Sequence, residues 1–188
     1  MYITHSYIET SIEDSRANFY LLYQDYIQYE SEFSKTLQYE LERLARNLKN
    51  KGSVVQPFKG DIEHNTQSIL EKFKNHPDSK NLYKTPCILM INSQFSEFNP
   101  TIHPYVILTF NKNTTKYSTD DIERICAFFQ EITRDIVNND QEPFNAVKVA
   151  FDKYQQDNRS SLLLTPNFYG IGVDLPIFFS KLSSKFKK

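Results

Sequence analysis

Hydrophobic residues recur at helical spacing from near the start of the chain. Ile12, Phe19, Leu22, Tyr26, Tyr29, Phe33, Leu37, Leu41, Leu44 and Leu48 form one stripe, and Arg16, Gln24, Asp25, Gln28, Glu32, Glu42, Arg43 and Arg46 lie opposite it. After Phe19 the steps are of three and four residues, the spacing of a coiled coil broken by one stutter. Thr10 with Glu13 makes a capping box, and Lys49, Lys51 and Gly52 mark an end. The pattern predicts one amphipathic helix over residues 10–52, or two helices broken near Glu30-Ser31-Glu32. About 40 residues rising 1.5 Å each would span roughly 60 Å, against a diameter of about 40 Å for a compact chain of this size. Such a helix calls for a partner or a second copy.

Past Gly52 the periodicity changes. Residues 53–58 read as a short strand. Residues 61–75 read as a helix that buries Ile62, Ile69, Leu70 and Phe73 and stops at His76-Pro77-Asp78. Residues 87–91 (CILMI) and 105–110 (YVILTF) are continuous apolar runs, as central strands require, and residues 92–104 form a long irregular loop between them. Ser118, with Asp120 and Asp121 behind it, opens a helix reaching Val137, with Ile122, Ile125, Cys126, Phe129, Ile132 and Ile136 as its buried stripe. Phe144, Val147, Phe151 and Tyr154 repeat at helical spacing, although Val147-Lys148-Val149 also alternates like a strand. Residues 161–165 and 168–173 read as a hairpin turning at Pro166-Asn167, and Asp174 caps a last helix. The expected fold is α+β: a long N-terminal helix (1–52) and an α+β body (53–188) within a single domain. The body would hold a mixed, mostly antiparallel sheet of about five strands with three or four further helices.

Composition narrows the function classes. Lys and Arg number 22 against 23 Asp and Glu, so the net charge is −1. A nucleic-acid role is disfavoured, because phosphate neutralisation asks for a basic field. Only four glycines occur, Gly52, Gly60, Gly170 and Gly172, where average usage would give roughly thirteen. No P-loop or dinucleotide fingerprint can be assembled from them. No Asp/Glu-x-Lys nuclease core follows a suitable strand, and His-x-Thr occurs once, at His64-Asn65-Thr66, not as the two copies a phosphoesterase uses. The two cysteines, Cys87 and Cys126, sit in apolar runs, and no histidine lies at ligand spacing from either. No metal or other cofactor is expected. No apolar run approaches the roughly 20 residues of a membrane span, and the first residues lack the basic and apolar regions of a signal peptide. The expectation is a cytoplasmic protein with no membrane attachment.

Two places carry the candidate chemistry. Gly170-Ile171-Gly172-Val173-Asp174 puts two glycines and an acid at a strand-to-helix junction, where backbone could approach a ligand. It resembles the GIGxD opening of the carrier-protein phosphopantetheine transferases, whose acid ligates a metal. That family needs a second acidic ligand on a later helix, and the fourteen residues after Asp174 contain no acid. The kinship therefore fails, and Asp174 reads as a helix cap. The second place is the 92–104 loop, where Ser93, Glu97 and His103 could make an acid–base set, although no glycines flank Ser93 as a nucleophile elbow needs.

The leading expectation is a non-enzymatic interaction or regulatory module. It would pair with a protein partner or a second copy through the helix stripe Phe19, Leu22, Tyr26, Tyr29 and Phe33, a stripe equally suited to burial against the chain's own sheet. The alternative is a small enzyme or ligand-binding domain, its pocket formed by Glu97, His103, Gly170, Gly172 and Asp174.

Overall fold

The computed structural model describes residues 3–4, 15–23, 31–57, 62–84, 86–112, 118–156 and 162–169. They form a six-stranded mixed sheet with helices on both faces. The strands are β1 (Ile3–Thr4), β2 (Ala17–Leu22), β3 (Gly52–Val55), β4 (Cys87–Ile91), β5 (Tyr105–Lys112) and β6 (Leu162–Tyr169). The helices are α1 (Glu32–Leu48), α2 (Ile62–Lys72), α3 (Ser79–Leu82), α4 (Thr119–Val137) and α5 (Pro143–Gln156). Strand order is β1-β3-β2-β4-β5-β6. β3 lies parallel to both β1 and β2, whereas β2–β4, β4–β5 and β5–β6 are antiparallel.

The expected long N-terminal helix is not there. Residues 17–22 are a central strand between β3 and β4, and α1 begins at Glu32. Ser31 is its N-cap, with Oγ accepting the Ser34 N–H at 3.2 Å. The residues from Ala17 to Tyr23 (ANFYLLY) explain the outcome. Selecting every third or fourth apolar residue makes a helical stripe of Phe19 and Leu22, but Tyr20, Leu21 and Tyr23 are apolar too. All five are at most 3% exposed. Such an unbroken aromatic and aliphatic run suits a strand covered on both faces. The parallel β2–β3 pair then needs a crossover, and α1 supplies it.

Alternation along the strands divides the core in two. Phe19, Leu21 and Tyr23 of the β2 segment, Ile88 and Met90 of β4, and Val106 and Leu108 of β5 join the layer under α1, α4 and α5. Tyr20, Leu22, Leu89, Ile91 and Ile107 face the other way, toward Ile69 of α2, Phe73, Leu82 of α3, and Phe95 and Phe98 of the 92–104 loop. The sheet is thus sandwiched between two layers.

Other expectations fare variously. Residues 87–91 and 105–110 are strands, β5 running on to Lys112. α2 lies within the expected 61–75. Ser118 caps α4 in a capping box: its Oγ accepts the Asp121 N–H, and Asp121 Oδ2 accepts the Ser118 N–H at 2.8 Å. Phe144, Val147, Phe151 and Tyr154 are buried on α5, so the helical period there prevails over the local alternation. The hairpin at Pro166-Asn167 is corrected. β6 runs straight through, with Pro166 opposite Leu108. Among the described strands β6 pairs on one side only, a position where a missing N–H is tolerated.

Gly52 opens β3 opposite Ala17. A Cβ there would meet Leu48 Cδ1 at 2.7 Å and the Ala17 carbonyl oxygen at 2.9 Å. The leucine methyl can shift, but the carbonyl belongs to the ladder. Gly52→Ala should therefore lower the unfolding free energy by about 1–3 kcal/mol. Urea denaturation checks this, and an unchanged midpoint would remove the packing argument.

Candidate functional site

The described part of the stripe expected as a contact surface, Phe19, Leu22 and Phe33, is core. Phe19 and Leu22 are fully buried on opposite faces of the sheet. Phe33, in the first turn of α1, is 2% exposed and meets Phe110 edge-on at 5.6 Å. Tyr26 and Tyr29 lie outside the described residues.

The second expected site is reached in part. Residues 92–104 are irregular, as expected. His103 closes a turn of that loop, its Nδ1 accepting the Asn99 N–H at 3.0 Å while the ring stacks on Phe98. Glu97 is exposed on the preceding turn, where its backbone N–H donates to the Gln94 carbonyl. The Ser93 carbonyl accepts from Asn18 Nδ2 at 2.9 Å. Gly170, Gly172 and Asp174 lie outside the described residues. Tyr169, the end of β6, donates its hydroxyl to the Thr101 carbonyl at 3.3 Å, which ties that strand end to the loop.

Beside the loop stands a set of residues that sequence reasoning missed. The Tyr105 hydroxyl donates to Asp78 Oδ2 at 2.7 Å, and Asn81 Nδ2 donates to Asp78 Oδ1 at 3.1 Å. His76 Nδ1 accepts the Asp78 N–H at 3.2 Å and lies 3.2 Å from the Tyr105 hydroxyl. Tyr169 stacks on Tyr105 with ring centres 5.1 Å apart. Burial, then the bond to Asp78, push the Tyr105 phenol well above the ordinary tyrosine range. In the sequence His76-Pro77-Asp78 reads only as a helix stop. That is also its role here: the turn after α2 is pinned to β5 through Tyr105.

Burial pushes Cys87 up to about 12, and burial with a hydrogen bond to Glu40 pushes Cys126 up to about 11. For Cys87 the folded-state value lies above the ordinary 9.0. Its contribution to stability is thus intact below pH 9.0 and is lost as the pH climbs from there toward 12. Cys87→Val should flatten that alkaline loss. Denaturant titrations at a series of pH values above 9.0 read the difference in slope, and equal slopes would refute it. Among the described residues no group of three or more His, Cys, Asp or Glu could hold a metal ion, and no helix is long and apolar enough to cross a membrane.

A concavity lies between α4 and α5. It encloses about 230 Å³ and is lined by the buried Arg124, Phe128, Ala150 and Tyr154 and by Ala127, with Glu131 and Lys153 at its edge. Helical spacing builds it: Arg124, Ala127, Phe128 and Glu131 share one face of α4, while Ala150, Lys153 and Tyr154 share one face of α5. The two alanines leave the room that larger side chains would fill. The Arg124 guanidinium lies over the Tyr154 ring, 4.0 Å from its centre, and donates to the Tyr154 carbonyl. Phe128 meets the same ring edge-on at 6.0 Å. Glu131 accepts from both Arg134 and Lys153. The groove therefore has fixed aromatic walls and a paired, charged rim. Comparison of the chain with protein-family models, curated proteins and solved structures finds no match.

Proposed function

We propose that the protein is a non-enzymatic interaction module that docks a partner protein on the α4–α5 face. The observation that carries this reading is the groove between those helices. At about 230 Å³ it falls below the roughly 300–1,000 Å³ usual for a site that encloses a small molecule. One or two inserted side chains of a partner suit it better. Aromatic walls inside a charged rim match the anatomy of protein interfaces, where Tyr and Arg carry much of the binding energy. The Arg124–Tyr154 stack holds both side chains in place, which lowers the ordering cost of association. The proposal keeps the interaction role expected from the sequence and moves it from β2 and α1 to α4 and α5.

A photo-crosslinking residue at position 127 tests it, with position 74 on the opposite layer as control; both positions are exposed. The expected result is a discrete protein adduct from position 127 alone, whose mass separates a second copy from a different protein. No adduct at 127, or the same adducts from both positions, would overturn the reading.

A further inference from the structure

We draw no further inference here: the strongest candidate, the His76–Asp78–Tyr105 cluster where the turn after α2 meets the start of β5, commits its imidazole Nδ1, both carboxylate oxygens and its phenol to one another and to the adjoining turn, so nothing in it points to a ligand.

Discussion

Phe19→Ala should lower the unfolding free energy by about 3–5 kcal/mol, the usual range for emptying a fully buried phenylalanine site. The side chain sits in the middle of β2, opposite Val54 of β3 and Met90 of β4. It belongs to the layer formed with Leu37, Leu41 and Leu44 of α1. The strands on both sides keep their hydrogen bonds after truncation, so the site can collapse only in part and a cavity remains. The competing view makes Phe19 part of an exposed contact stripe, and it predicts the reverse. Stability would then hardly change, while the solution mass would fall as an oligomer came apart. Urea denaturation and sedimentation on the same sample separate the two. A cost below about 1 kcal/mol would contradict the buried placement, because exposed substitutions rarely exceed half that.

That residue also shows where the sequence can be read and where it cannot. The runs at 87–91 and 105–110 are legible as strands because they are short, unbroken and bounded by turn residues. α4 is legible because its capping box and its 3.6-residue period agree. The run from Phe19 to Tyr23 has the same character as those strands, yet it stands before a genuine amphipathic helix whose stripe extends backwards through it in register. Period alone cannot locate the boundary. The Ser31 cap can, and it lies in the polar stretch where a break was the alternative. β6 escaped for another reason. Pro166-Asn167 is good turn chemistry, and only the sheet order reveals that among the described strands β6 pairs on one side, where proline fits.

The candidate groove was not legible at all. Ile125, Phe129, Ile132 and Ile136 mark the core face of α4 correctly. Phe128 lies next to that stripe and is buried as well, because α5 covers a second face of the helix. The groove then arises where Ala127 and Ala150, on different helices, both line one concavity. That is a tertiary fact, and small residues in a helix announce nothing by themselves. The same holds for Tyr105 and Asp78, which lie 27 positions apart and meet only because α3 and β5 fold together.

Arg43→Ala is expected to be the second large loss, about 2–3 kcal/mol. Glu40 is 3% exposed on α1, in the layer facing α4. Arg43 Nη1 bridges both of its carboxylate oxygens, at 2.9 and 3.0 Å. Removing the cation leaves a buried carboxylate without its ion partner, a change that usually costs about 3–5 kcal/mol. The Arg43 side chain is itself 36% exposed, so water already screens the pair and the lower figure is appropriate. The pair as a whole is a different matter, since its attraction is largely offset by the cost of desolvating it. Arg43→Met combined with Glu40→Leu should accordingly recover most of the loss and return to within about 1 kcal/mol of the parent. Guanidinium denaturation of the single and double variants decides the matter. If the double variant is as unstable as Arg43→Ala, the ion pair contributes net stability and the desolvation argument fails; if the single variant costs less than about 0.5 kcal/mol, Glu40 reaches water and is not held between α1 and α4.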